Sequence, residues 1–179
     1  MFPTVLVLFD HSGNTSNFYR SKNFEVIQVD TLLDGLNAIR LNLFKGLQLE
    51  ALICYPPCTY FSKARKKPDE FDLDYGLSTL DLCFRLHYLY NPRVFMIENP
   101  FHSRIRAYIG EPQQTISLGT FGFRSEKLTG LWGVFKPVQL ASDISFKYNR
   151  KGLDTLSVVN RSVTPIKFIE AFYLANFKQ

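Results

Sequence analysis

Residues 51–62 read ALICYPPCTYFS, a short apolar run that stops at two consecutive prolines and a cysteine. The run has the length of a buried strand, and proline cannot continue the hydrogen bonding of a central strand. We therefore expect a strand to end at Tyr55 and a rigid turn to present Cys58. Two interpretations of that cysteine stay open: it fills a small buried space, or the turn directs its thiol at a substrate.

The segments around this strand alternate between apolar runs of strand length and stretches with helical periodicity. Such alternation predicts an α/β fold, a Rossmann-like, mostly parallel sheet with helices on both faces. Strands are predicted at 4–9, 24–29, 51–55 and 94–97, with strand-like segments near 114–118 and 127–133. Helices are predicted at 16–21, 33–43 and 73–90, near 101–108, and from an N-cap at Thr164 and a first helical residue at Pro165 to Phe177.

The composition is that of a globular protein, with 46% apolar and 21% charged residues in a chain of 179. We expect a single domain over residues 1–179. No apolar run approaches the roughly 18 residues of a membrane helix, and the start MFPTVLVLFD lacks the basic leader of a signal peptide. Three cysteines fit neither a disulfide framework nor a zinc pattern. The expectation is a cytoplasmic protein without a membrane partner or a metal.

In open α/β sheets, ligands bind at the carboxyl ends of the strands, so the residues that follow each strand are the candidates for function. The turn that contains Ser12, Gly13 and Asn14 can offer backbone N–H groups to an anion, or it is an ordinary turn. Asp30 suits a hydrogen bond to the ribose hydroxyls of a nucleotide-type cofactor, or it merely ends its strand.

Cys58 and Glu98 are the stronger pair of candidates. A thiolate that adds to carbon 6 of a pyrimidine makes carbon 5 nucleophilic, and this splits one difficult step into easier ones. A nearby carboxyl group can hydrogen-bond ring nitrogen 3 and the exocyclic amine. Glu98 follows VFMI, a strand that should be buried, so an acid there needs a charge or hydrogen-bond partner, or a functional role.

The formal net charge of +5 permits a polyanionic partner without establishing one. Each basic cluster alone is consistent with a solvated loop, but the cluster that follows the cysteine turn could hold phosphates while the thiol acts on a base. The clusters are Lys63, Arg65, Lys66 and Lys67; Arg104 and Arg106; and Lys147, Arg150 and Lys151.

Five motifs, in their order along the chain, resemble those of the DNA cytosine-5 methyltransferases, most of all the compact forms of bacteriophages and other mobile elements. YPPCTYFS (55–62) matches the nucleophile loop P-P-C-x-x-F-S, and MIENP (96–100) matches the strand end E-N-V or E-N-P. LFDHSGNTS (8–16) lies where the family has its cofactor loop F-x-G-x-G. FGFRSEKLTGLWG (121–133) resembles F-G-x4-K-x-T-x-L-W, and NRSVTPIKFIEAF (160–172) resembles the closing R-S-x-T-P helix start.

The resemblance implies a role for each matching residue. Cys58 would attack carbon 6 of a cytosine flipped out of DNA, and Glu98 would contact nitrogen 3 and the amine. S-adenosylmethionine would be the methyl donor, and DNA in a prokaryotic cytoplasm would be the partner. The residues around the donor would be Phe9, Asp10, Ser12, Gly13, Asn14, Asp30 and Pro56. Those on the substrate side would be Ser62, Lys63, Arg65, Asn99, Lys127 and Arg161.

The chain departs from the family pattern on the cofactor side. His11 replaces the first glycine of F-x-G-x-G, and residues 36–40 lack the acid expected near the adenine. The large target-recognition domain of restriction-type members is also missing. Three functions therefore stay open: a minimal methyltransferase, an enzyme that modifies pyrimidine carbon 5 without S-adenosylmethionine, or a non-catalytic relative that binds nucleic acid or a protein partner.

Overall fold

The computed structural model describes residues 2–40, 46–62, 70–123, 127–139 and 163–178. These residues form one six-stranded sheet with helices packed against it. The strands are β1 (Thr4–Leu8), β2 (Glu25–Val29), β3 (Leu49–Cys54), β4 (Val94–Pro100), β5 (Gln114–Ser117) and β6 (Leu128–Val134). The helices are α1 (Asn14–Ser21), α2 (Leu32–Arg40), α3 (Glu70–Tyr90), α4 (Arg106–Ile109) and α5 (Ile166–Phe177).

The sheet has the strand order β2-β1-β3-β4-β6-β5, and β1 to β4 are mutually parallel. The chain passes from β1 outward to β2 and then returns to the other side of β1 to form β3. This reversal places a topological switch point between β1 and β3, where ligands bind in open α/β sheets. The prediction of a mostly parallel α/β sheet is confirmed.

Strand β6 is antiparallel to both of its neighbours and lies between β4 and β5, although it follows β5 in the chain. Gly133 permits this close pairing because its φ is 136° and an added Cβ would lie 2.2 Å from the carbonyl oxygen of Phe95. The pairing of Thr129 with Pro100 brings the start of β6 to the carboxyl end of β4. Sequence reasoning found this strand but not its direction or its place in the sheet.

Two apolar cores cover the two faces of the sheet. Leu52 and Cys54 of β3 belong to the core beneath α2 and α3, and Ala51 and Ile53 belong to the core beneath α1 and α5. Successive side chains of a strand point to opposite faces, so the predicted placement of helices on both faces is confirmed. Cys54 and Cys83 are fully buried, as expected for packing residues. None of the helices in the described ranges is long and apolar enough to span a membrane.

The start of the last helix differs from the prediction by one residue. Pro165 has an extended conformation, with φ −63° and ψ 134°, and is itself the N-cap of α5. The proline ring fixes φ at a value shared by helical and extended backbone, so the residue type could not decide ψ. Thr164 is buried, and its carbonyl oxygen accepts a hydrogen bond of 3.1 Å from Asn14 Nδ2.

Candidate active site

The loop between β1 and α1 folds around the carboxylate of Asp10, which is buried. Its Oδ2 accepts hydrogen bonds from the backbone N–H and the hydroxyl of Ser16, at 2.9 and 3.0 Å, and its Oδ1 accepts one of 3.0 Å from Ser12 Oγ. A carboxylate at this place satisfies backbone donors of the first turn and interacts favourably with the helix dipole. Both carboxylate oxygens of Asp10 are thus engaged in holding the shape of the loop.

Two residues of this loop have left-handed backbone conformations, Phe9 with φ 62° and Gly13 with φ 70°. The N–H of Phe9 donates to the carbonyl oxygen of Val29 at 2.7 Å, and the N–H of Gly13 donates to that of Asp10 at 2.9 Å. A non-glycine residue with positive φ carries strain that the surrounding structure has to support. The side chain of His11 is exposed and does not fill the interior of this tight loop.

The end of β2 is tied to the same loop through Gln28. Its Nε2 donates to the carbonyl oxygen of Asp10 at 3.0 Å and lies 3.2 and 3.1 Å from the two carboxylate oxygens of Asp30. Asp30 nevertheless remains exposed. The structure therefore places an accessible carboxylate beside the loop that follows β1, at the edge of the sheet where the parallel strands end.

Tyr55 connects the β1 side of the site to the loop that carries Cys58. Its hydroxyl and Thr15 Oγ1 share a hydrogen bond of 2.8 Å, and its N–H donates to the carbonyl oxygen of Leu8 at 3.0 Å. Burial raises the pKa of Tyr55 well above its usual value; the hydrogen bond with Thr15 opposes this shift, while the charges of Asp10 and Glu98 add to it. The phenol therefore stays protonated. Sequence reasoning treated Tyr55 only as the last residue of a strand.

The loop that follows β3 presents Cys58 at the start of a 3₁₀ turn, Cys58–Phe61. Phe61 is fully buried, and its carbonyl oxygen accepts a hydrogen bond of 2.7 Å from the N–H of Arg104. Gly76 of α3 lets the turn pack closely, because a Cβ there would lie 2.7 Å from Tyr60 Cβ. The hydrogen bond from Arg104 and the packing against α3 thus hold the turn in place. Cys58 itself is only half-buried, and a reactive thiol has to be partly exposed.

The Pro-Pro-Cys loop and the Glu-Asn-Pro segment are in direct contact. Asn99 Nδ2 donates a hydrogen bond of 2.8 Å to the carbonyl oxygen of Pro56. Cys54 is paired with Ile97, and continuing this parallel register places Tyr55 beside Glu98. The structure therefore brings together the two strand ends that carry the predicted nucleophile and the predicted acid.

Glu98 lies within β4, not after it, and only 7% of its surface is exposed. Its Oε1 is buried and has no hydrogen-bond partner among the described residues, while Lys127 Nζ lies 3.7 Å from it. A buried charge is costly unless it is paired, and the lysine supplies a charge partner at a distance too long for a hydrogen bond to Oε1. The expectation that an acid in this strand has a partner is met by Lys127, and one acceptor oxygen is left unsatisfied.

Several predicted substrate-side residues lie outside the described part of the chain: Lys63, Arg65 and Arg161. The other members of the basic cluster after the turn, Lys66 and Lys67, lie outside it as well. Ser62 is half-exposed directly after the 3₁₀ turn. Across the described ranges, no group of three or more His, Cys, Asp or Glu side chains is arranged to hold a metal ion.

No family model matches the chain, and no curated protein sequence matches it. Among solved structures, the chain is similar to a protein provisionally assigned as a DNA modification methyltransferase encoded within an E. coli prophage, with 16% identity and a TM-score of 0.48. The match covers 72% of this chain and 45% of that protein, so the chain spans less than half the length of the similar structure.

Proposed function

We propose that this protein transfers a methyl group from S-adenosylmethionine to carbon 5 of cytosine in DNA, through a covalent bond between Cys58 and carbon 6. The observation that carries the proposal is the buried, unsatisfied Oε1 of Glu98, in a segment that is hydrogen-bonded to the Pro-Pro-Cys loop. A buried acceptor without a donor is costly, and a donor on an entering base would satisfy it. The motif resemblance supports the choice of cytosine, which presents an amine at that edge.

Cys58 and Glu98 have complementary tasks in this reaction. The thiolate forms a bond to carbon 6, and the electron pair of the ring double bond becomes available at carbon 5. A protonated Glu98 would donate its proton to nitrogen 3 while its other carboxyl oxygen accepts a hydrogen bond from the amine, and the donated proton offsets the negative charge that develops on the ring. Carbon 5 would take the methyl group from the sulfonium, whose sulfur would keep the electron pair of the broken bond. Loss of the carbon-5 proton to a base then re-forms the ring double bond, and the bond between carbon 6 and the Cys58 sulfur breaks, with its electron pair returning to the sulfur.

The residues that follow β1 and β2 fit S-adenosylmethionine. The exposed carboxylate of Asp30 is suited to ribose hydroxyls, and the bent loop from Phe9 to Asn14 lies beside it. His11 is exposed, so its side chain leaves the interior of that loop unfilled. When bound, S-adenosylmethionine supplies an electrophilic methyl group on a positively charged sulfur.

DNA is the proposed substrate because the reacting base has to leave its stack. Glu98 is almost completely buried at the end of a central strand, and a base inside a duplex cannot reach such a group. An extruded base would take the place of the Lys127 ammonium group beside Oε1. The basic segment that follows the turn would hold the phosphates, so DNA binding should weaken steeply as salt increases.

The decisive experiment is covalent trapping on DNA that contains 5-fluorocytosine. A pool of duplexes of random sequence avoids the need to know the target site. Fluorine at carbon 5 cannot leave as a proton does, so the Cys58 adduct should persist and survive denaturation in detergent. We expect a trapped complex with wild-type protein and S-adenosylmethionine, none with Cys58→Ser, and none on duplexes with ordinary cytosine.

Other outcomes would change the assignment in distinct ways. A trapped complex that forms equally without S-adenosylmethionine and carries no methyl group would indicate different chemistry at carbon 5. Salt-sensitive DNA binding without trapping, together with no heat of binding for S-adenosylmethionine in calorimetry, would indicate a non-catalytic nucleic-acid-binding protein.

A further inference from the structure

A second polar atom near Glu98 is buried and unsatisfied. Thr129 of β6 is completely buried, and its hydroxyl has no hydrogen-bond partner among the described residues. Most buried polar groups in proteins are hydrogen-bonded, and leaving one unpaired costs about 1–3 kcal/mol. This hydroxyl therefore needs an explanation.

The strand register places Thr129 close to Glu98 on one face of the sheet. Glu98 is paired with Leu131, and Pro100 is paired with Thr129, so the two polar residues are diagonal neighbours across β4 and β6. Diagonal neighbours in an antiparallel pair lie roughly 7–8 Å apart, within reach of one small planar group. The Lys127 ammonium group, 3.7 Å from Glu98 Oε1, approaches the same place.

The strand itself does not need this hydroxyl. The residues directly opposite Thr129 on the two neighbouring strands are Pro100 and Ile116, and neither side chain can accept or donate a hydrogen bond. Valine has nearly the same shape and would avoid the cost of the buried hydroxyl. A purely structural role would thus be better served by valine, and this favours a ligand as the missing partner.

We propose that Thr129 binds the extruded pyrimidine by donating a hydrogen bond to its carbonyl oxygen 2. This inference rests on the proposed function and deepens it. The base edge presents the amine, nitrogen 3 and oxygen 2 in sequence, and Glu98 is assigned to the first two. Oxygen 2 accepts hydrogen bonds only, and the Thr129 hydroxyl is the neutral donor on the adjacent strand.

The test compares Thr129→Val with wild type in single-turnover methylation of duplexes that contain either cytosine or 2-thiocytosine. Sulfur at position 2 is a weak hydrogen-bond acceptor. Thr129→Val should therefore slow methylation of cytosine by about tenfold and have little effect on methylation of 2-thiocytosine. Thr129→Ser, which keeps the hydroxyl, should restore the preference for cytosine. Thr115→Val is the matched control, because Thr115 is exposed on the neighbouring strand β5.

The possible failures can be told apart. If wild-type protein forms no Cys58 adduct, the proposed function is wrong and the role of Thr129 falls with it. If wild type is active and Thr129→Val methylates cytosine at the full rate, the role of Thr129 alone is wrong. Equal losses on both bases without rescue by Thr129→Ser would show that Thr129 only packs the strand.

Discussion

Asn99 Nδ2 donates a hydrogen bond of 2.8 Å to the carbonyl oxygen of Pro56, and both residues are buried. Pro56 and Pro57 have no backbone N–H, so their loop cannot attach itself to the next strand by its own donors. The side chain of Asn99 provides that attachment instead. The relative position of Cys58 and Glu98 therefore depends on Asn99, which follows Glu98 in the chain and binds the loop that carries Cys58.

Asn99→Asp should slow the reaction and also lower the melting temperature, because Asn99 is buried and an unpaired buried carboxylate is costly. The substitution replaces an N–H donor with a carboxylate oxygen, which repels the carbonyl oxygen of Pro56. A displacement of the loop by about 1 Å can cost about 100-fold in rate, so we expect a loss of that order in the rate of adduct formation on 5-fluorocytosine DNA. Asn91→Asp, at an exposed position after α3, is the matched control. An unchanged rate in Asn99→Asp would show that the hydrogen bond does not position the loop.

Glu98→Gln should reduce the rate of methylation by roughly 10²–10⁴-fold, the usual range for loss of acid–base assistance. Glutamine keeps the shape of the side chain but cannot supply the same charge and proton support to the ring. Single-turnover methylation with saturating DNA measures the effect on the chemical step. Glu50→Gln, in the exposed ion pair with Arg93, is a control for loss of one carboxylate elsewhere. Wild-type rates in Glu98→Gln would remove Glu98 from the mechanism.

The sequence predicted those parts of the fold and site that depend on local pattern. Apolar runs bounded by proline, aspartate and asparagine located β1 to β4, and the strand-end rule then selected Cys58, Glu98 and Asp30 for attention. These inferences need only the period of a strand and the knowledge that parallel strands end at one edge. The roles of the selected residues remain predictions.

Other features depend on contacts between distant residues, which local pattern does not contain. Asn99 and Pro56 are 43 positions apart, and Tyr55 and Thr15 are 40 positions apart. Thr129 occupies a strand position where threonine is common, so its unsatisfied hydroxyl became evident only from its neighbours. Asp10 matched a cofactor motif by position, but the fold of α1 engages both of its carboxylate oxygens.

Gly76→Ala should destabilise the protein and disturb the reactive turn. Alanine normally favours a helix over glycine by about 1 kcal/mol, but here its Cβ would lie 2.7 Å from Tyr60 Cβ and 3.1 Å from Phe61 Cζ. Overpacking of this kind costs about 1–3 kcal/mol, so we expect a lower melting temperature together with slower adduct formation.

Ser78→Ala is the control for that substitution, because Ser78 is exposed on the same helix and alanine there adds no atom against the turn. The control should therefore melt near the wild-type temperature. Equal melting temperatures for Gly76→Ala and wild type would contradict close packing of the turn against α3.

His87 should make folding stability depend on pH. Its ring stacks on Phe95 with centroids 4.2 Å apart, and burial lowers its pKa below the usual value of 6.5. The unfolded chain therefore binds a proton at a higher pH than the folded protein, so stability is full above about pH 6.5 and declines as the pH falls below it. His87→Phe keeps the stacked ring without a titrating group, and its melting temperature should fall less between pH 7.5 and 5.5 than that of wild type. His102→Phe, at an exposed position, is the matched control. A decline in His87→Phe as steep as in wild type would show that other groups cause the loss of stability.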